Sequence, residues 1–263
     1  MDRETWLLWM LADSQLPTGG FVASAGLEAA VQGGLVRESA AEDNIDSFVG
    51  FISDSAHNQA RFALPICSRV HDLAALHLMP LAKAGDGSSG NGSDDEVVAT
   101  KVLEDIVRID GYHHAMLASN QVAMRASIAQ GGGLLSVFNR GYALSAFMGA
   151  GMARRAWGLR GSCSGWRGWA RCLRAHAQLF MFQFVRQVFS AAIRLNLVGP
   201  LRAQMLSCDM QRLVSSLLDH HAHRRVELDS IEDLFGESAV YTEPVLELYQ
   251  GMHDRLYSRI FNS

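Results

Sequence analysis

The chain has 263 residues, 49% of them hydrophobic, with 23 basic and 27 acidic side chains giving a formal net charge of −4. That composition supplies a sizeable core and excludes a disordered chain, and the slightly acidic balance excludes a general basic field of the kind that gathers nucleic acid or anionic membrane. Four cysteines, Cys67, Cys163, Cys172 and Cys208, lie far apart without a CxxC pair, which excludes a disulfide framework and points to reduced thiols in a cytoplasmic protein.

The opening Met1-Asp2-Arg3-Glu4 followed by Trp6-Leu7-Leu8-Trp9-Met10-Leu11 reads as a helix, because it lacks the small-residue cleavage site of a signal peptide. Between Leu11 and Glu28 the pattern breaks. Pro17 fixes its own φ and biases Leu16 away from the helical region, while Gly19-Gly20 permits angles that a Cβ resists. A stiff turn between two helices is expected, with Asp13, Ser14, Thr18 and Ser24 available as caps.

Ile45, Phe48, Val49, Ile52 and Ala56 recur at helical spacing, and a second helix is expected from Phe62 to Leu81, with Pro65 near its start and Pro80 at its end. Lys83 to Glu96 is Gly/Ser/Asp-rich and reads as a mobile surface loop. Helical periodicity resumes at Val97 and continues past Gly111 to Ile128, with Gly131-Gly132-Gly133 as its stop. Leu134 to Trp157 reads as another helix, weakened by Gly149 and Gly151. The most strongly patterned buried helix carries Leu179, Phe182, Val185, Phe189, Ile193 and Leu197. Gln183, Arg186, Gln187, Arg194 and Asn196 interrupt that stretch too often for a membrane span.

Asn196-Leu197-Val198-Gly199-Pro200 is a stop signal, Leu201 to His221 a further helix, and Ser230 to Tyr241 an acidic connector. Glu243-Pro244 starts the last helix. Its apolar stripe is expected to be Val245, Leu248, Tyr249, Met252, Leu256 and Ile260, with His253, Asp254, Arg255, Ser258 and Arg259 on the other faces. No segment alternates long enough for a strand and no repeat is present. The pattern predicts an all-α, single-domain bundle of about eight to ten helices over residues 1–263.

Enzymatic motifs fail on inspection. Gly149-Ala150-Gly151-Met152-Ala153-Arg154 imitates a dinucleotide turn, but it ends in Arg and follows no strand. No Gly-x-x-x-x-Gly-Lys-Ser/Thr phosphate cradle occurs, and no nucleophile is paired with a base. His220, His221 and His223 beside Arg224 and Arg225 have nitrogens suited to nickel or zinc. The stronger reading is a cationic complement to a helix C-terminus. His113 and His114 point about 100° apart on a helix, so at most one joins a given site. Six arginines from Arg154 to Arg174, interleaved with Trp157, Trp166 and Trp169, suit a protein partner better than nucleic acid at this net charge.

Three separated stretches together resemble the urease accessory protein UreF family. They are Leu16-Pro17-Thr18-Gly19-Gly20-Phe21 with Ser24-Ala25-Gly26-Leu27-Glu28, then Ser190 to Leu201 including Asn196, Gly199 and Pro200, and Leu246 to Ser263. A weaker likeness runs from Ser119-Asn120 through Arg125 to Gly131. Residues 159–174 depart from the family pattern, lacking its His-x-Ala-Pro-Val-Phe-Gly-like segment.

The resemblance implies a cytoplasmic homodimer without catalytic activity or a stably bound cofactor. It would bridge UreD (also called UreH) and the GTPase UreG on apo-urease, with nickel handled by the complex and GTP held by UreG. It also implies partner contacts through Gln250, Gly251, His253, Asp254, Arg255, Leu256, Tyr257, Ser258 and Arg259, with Glu28 as a further partner residue. The opening turn sets the angle of the first two helices. Two alternatives stay open: a direct nickel carrier using His220, His221 and His223, and a diverged all-α interaction protein.

Overall fold

The computed structural model describes residues 3–13, 15–37, 45–78, 92–137, 140–141, 173–227 and 239–263. Its helices are α1 (Arg3–Ala12), α2 (Leu27–Gln32), α3 (Ile45–Arg61), α4 (Ala63–Leu73), α5 (Gly92–Met116), α6 (Gln121–Val137), α7 (Leu173–Arg194), α8 (Pro200–His221) and α9 (Pro244–Met252). A π turn over Ala74–Leu78 extends α4, and single 3₁₀ turns cover Gly20–Val22 and His253–Arg255. No strand occurs among the described residues, so the bundle is all-α. No described helix is long and apolar enough to cross a membrane.

The bundle is built around α7. Ala177, Met181, Val185, Val188 and Ala192 are buried at steps of three and four, which puts them on one stripe. That stripe meets Leu27 and Ala30 of α2, Phe48 and Ile52 of α3, and Ala203 and Met210 of α8 in one core. A second core joins Ile66 and Val70 of α4 to Val102, Ile106 and Ile109 of α5.

Both ends of the α7–α8 connection follow from local chemistry. Asn196 takes a left-handed conformation, φ 58°. Leu197 N–H then reaches Ala192 O, and Asn196 N–H reaches Ile193 O, the paired bonds that close a helix C-terminus on such a residue. Gly199 is the N-cap of α8 and Pro200 its first residue, where the missing N–H costs nothing.

Several boundaries differ from the sequence reading. The run expected from Val97 to Ile128 is two helices, parted at Leu117–Asn120, where buried Asn120 accepts the Ala123 N–H at 3.0 Å and caps α6. The first of them begins at Gly92, so residues 92–96 are helical. Their acidic composition read as loop, yet acidic side chains are also favoured in the first turn of a helix. The rest of the expected loop, from 83 to 91, lies outside the described residues, as does the 142–157 part of the helix expected over Leu134–Trp157. Of the atypical 159–174 segment only 173 and 174 are described, as the first residues of α7. The expected connector over 230–241 is described only from 239.

The Gly131–Gly133 triplet does not stop α6, which continues to Val137. Packing overrides the propensity: a Cβ on Gly133 would stand 2.7 Å from Thr18 O. The opening turn rests where α6 has no side chain.

The last helix is shorter than its apolar stripe. It ends at Met252, and after one 3₁₀ turn the chain from Leu256 to Ser263 leaves helical conformation. The residue pairs Gln32–Ser258, Glu28–Ile260 and Ser24–Ser263 show this tail running antiparallel to the chain direction of α2.

Adjacent glycines of α6 make a stability test. Gly132→Ala, with open space around its Cβ, should gain about 0.5–1 kcal/mol from helix propensity, whereas Gly133→Ala should lose about 1–3 kcal/mol by overpacking against Thr18. Urea unfolding of both variants checks the opposite signs.

Candidate docking surface

The carboxylate of Glu28 organises this end of the molecule. Glu28 lies in the first turn of α2 and is 1% exposed. An ionised carboxylate in such a place is tolerated only when donors surround it. Three do: Ile260 N–H donates to Oε1 at 2.6 Å, and Phe261 N–H (3.1 Å) and His253 Nε2 (3.0 Å) donate to Oε2. His253 is fully buried and its Nδ1 has no partner. This fits the tautomer whose single N–H points at Glu28.

The rest of the tail is stitched down around that contact. Ser24 donates to the Ser263 main-chain oxygen from both N–H (2.6 Å) and Oγ (2.9 Å). Asn262 N–H reaches Val22 O at 2.8 Å, and Gln32 Nε2 reaches Ser258 O at 2.9 Å. Phe261 enters the main core. The Arg194 guanidinium lies 4.0 Å from the Phe21 ring centroid and 4.2 Å from that of Phe261, and it donates to Phe21 O. Each such contact adds about 0.5–2 kcal/mol according to exposure.

Helix α9 is seated between α2 and α6. Gly33 leaves room for Tyr249, whose ring carbon would stand 2.2 Å from an added Cβ, and Tyr249 donates its hydroxyl to Gly33 O at 3.3 Å. Gly26, at φ 85°, lies under Gln250. On the α6 side Ser119 donates to Glu247 (2.7 Å) and Asn120 to Gln250 (3.1 Å). Arg125 donates from one nitrogen, Nη2, to both Asp254 oxygens at 2.6 and 2.8 Å, and Arg259 joins at 3.2 Å. The Arg125 hydrogen bond, helped by the charges of Arg125 and Arg259, holds the Asp254 carboxyl below its ordinary value against a smaller opposing effect of burial.

What faces outward is therefore defined by what is tied inward. Val245, Leu248 and Met252 stand on the open side of α9, Leu248 at 68% exposure, and beyond them Tyr257 is fully exposed and Ile260 more than half exposed. Gly251, Asp254, Arg255, Ser258 and Arg259 are also exposed, whereas Gln250 and Leu256 are partly buried. The sequence reading placed His253 on an outer face and Glu28 at a partner surface; the structure turns both inward, against each other. The expected apolar stripe splits: Tyr249 meets the core, together with Leu246 from outside the stripe, while Val245, Leu248 and Met252 do not. Ser119, Asn120, Arg125 and Arg194 were not read as site residues, although all four fall in stretches that carry the family resemblance.

Of the other candidates, the opening motif borders this end of the molecule through Phe21 and the histidines lie away from it. Of the opening motif, Leu16 packs with Leu11 of α1, Thr18 meets Gly133, Gly19 is left-handed at φ 82°, and Pro17 and Phe21 are exposed. His113 is buried and stacked 5.5 Å from Phe62, while His114 is exposed. His220 pairs its Nδ1 with Ser216 O at 2.7 Å. His221 has its pKa lowered, first by burial and then by Arg224, Arg61, His220 and His57. Such surroundings repel a metal cation. No group of three or more His, Cys, Asp or Glu suited to a metal ion occurs among the described residues. A cleft of about 310 Å³ between the opening turn, α3, α6 and α7 is lined by the neutral amides of Asn58, Gln59, Gln130, Gln183, Gln187 and Gln250.

The family model described as UreF matches residues 42–211. Urease accessory protein F of Arabidopsis thaliana is 31% identical over 98% of this chain and 92% of its own length. The protein of that name in Oryza sativa subsp. japonica is 30% identical over 97% and 84%. Urease accessory protein 6 of Cryptococcus neoformans var. grubii is 26% identical over 99% and 98%.

The Arg125–Asp254 pair gives a pH test. With the folded pKa below the ordinary 3.8, its contribution is present above the unfolded value and is lost as pH falls through the folded one. Asp254→Asn should lower the urea midpoint equally at pH 7 and pH 5, and the gap to wild type should close on acidification below about pH 4. An undiminished gap at pH 3 would exclude the charge as its source.

Proposed function

The chain belongs to the UreF family, and we propose that it acts in urease maturation as a non-enzymatic scaffold bridging a UreD/UreH-like protein and the GTPase UreG on apo-urease. In this reading nickel is handled by the complex, UreG supplies GTP binding, and the chain works as a cytoplasmic homodimer. The observation that supports a docking role is the outer side of α9 and its tail. Val245, Leu248, Met252, Tyr257 and Ile260 are exposed apolar side chains, and Arg255 and Arg259 of the same segment are exposed as well, on a backbone held by α2 and α6. Aromatic and arginine side chains on a firm base are the types that dominate binding energy at protein interfaces. We assign this face to the UreD/UreH-like partner.

Deleting the tail would be a poor test, because Phe261 belongs to the core and Ser263 is buried. Surface substitutions avoid that difficulty. Leu248→Glu and Tyr257→Ala, which remove no buried group, should each leave the fold intact and weaken co-purification of the UreD/UreH-like protein, by about 30-fold or more in Kd for a hot-spot position. Wild-type retention by both variants would overturn the assignment. Direct nickel carriage through His220, His221 and His223 is the weaker reading because of the cations around His221. Stoichiometric micromolar nickel binding lost on His→Ala substitution would reinstate it.

A further inference from the structure

We propose that Glu28 is a positioning residue for the docking face: it touches no partner and determines whether the tail is presented as an ordered segment. This rests on the docking role assigned above to α9 and the tail. The argument begins from the direction of the contacts. Tyr257 and Ile260 point to solvent, yet the backbone that carries Ile260 is held from beneath by Glu28 Oε1. The next residue, Phe261, is held by Oε2 and by the Arg194 sandwich. One buried carboxylate thus anchors residues 253, 260 and 261 at once, closing the loop between the end of α9 and the tail.

Among the described residues, tail residues 256–259 have one hydrogen bond to α2, from Gln32 Nε2 to Ser258 O. They keep their course because both flanks converge on Glu28. A tail released from that carboxylate must be re-ordered when a partner binds. The apparent affinity then falls in proportion to the fraction of molecules with the tail docked.

Glu28→Gln isolates the effect. It keeps the size and one carbonyl acceptor, but whichever way the amide turns its NH₂ group faces one main-chain donor, Ile260 N–H or Phe261 N–H, so the tail anchor is weakened while the α2 backbone is unaltered. Full-length Glu28→Gln should show amide exchange at least about tenfold faster over 257–263, with wild-type protection in α3, α7 and α8. Its Kd for the purified UreD/UreH-like protein should weaken about tenfold, as expected when one molecule in ten has a docked tail. In a Tyr257→Ala/Ile260→Ala background, which removes what the tail presents, Glu28→Gln should cost less than about twofold more.

Ser24→Ala, which removes a hydroxyl bound to the Ser263 oxygen, should loosen the same segment and weaken binding in the same direction. It keeps the test decisive if Glu28→Gln fails to fold. A loosened tail with unchanged Kd would overturn the proposal, as would an equal loss in both backgrounds, which is the mark of a purely structural role. If Tyr257→Ala/Ile260→Ala binds as tightly as wild type, the tail's part in the docking face falls and the positioning role falls with it.

Discussion

The structure depends on one buried charge. Glu28 sits in the first turn of α2 with almost no contact with water. A carboxylate so placed must have donors on both oxygens or lose on the order of 3–5 kcal/mol. The donors come from far along the chain, at His253, Ile260 and Phe261. Satisfying the charge therefore closes the end of the chain onto its beginning. It also explains why the last helix stops at Met252: a helix continued to Ile260 would keep the Ile260 and Phe261 N–H groups within itself.

Around that contact the stretches that carry the family resemblance become neighbours. The opening turn rests on Gly133 of α6, α9 crosses α2 over Gly26 and Gly33, and Asn120 and Arg125 of α6 hold Gln250 and Asp254. Arg194, at the end of α7, lies against one aromatic ring from the opening motif and one from the tail. Segments separated by more than a hundred residues thus share a single corner of the bundle. Close approach of backbones is what the glycines provide, and charge-assisted hydrogen bonds supply the rigidity.

That corner has two sides with different work. Its inner side is buried and hydrogen-bonded save for His253 Nδ1, while its outer side carries apolar and cationic groups with no described partner segment covering them. A binding surface gains from such a division because ordering costs are met during folding rather than at association. The arrangement suits the docking role proposed for this family member in urease maturation, in which the outward side chains would touch the partner and the buried ones would hold them in place.

The bundle itself was legible in the sequence. Helical spacing of apolar residues located α3, α7 and α8, and Asn196, Gly199, Pro200 and Pro244 marked turns and starts by local rules that need no tertiary context. The resemblance pointed to the C-terminal end of the chain, where the structure leaves Val245, Leu248, Met252, Tyr257 and Ile260 exposed. What periodicity could not decide was where packing or a buried charge overrides local preference. Gly131–Gly133 reads as a stop but continues as helix because Thr18 needs the space beside Gly133, and Leu256 to Ile260 reads as helix but is drawn out toward α2. Likewise, nothing local distinguishes a solvated Glu28 or His253 from a buried pair. Their burial is decided by segments some 225 residues apart, and only the folded chain brings them together.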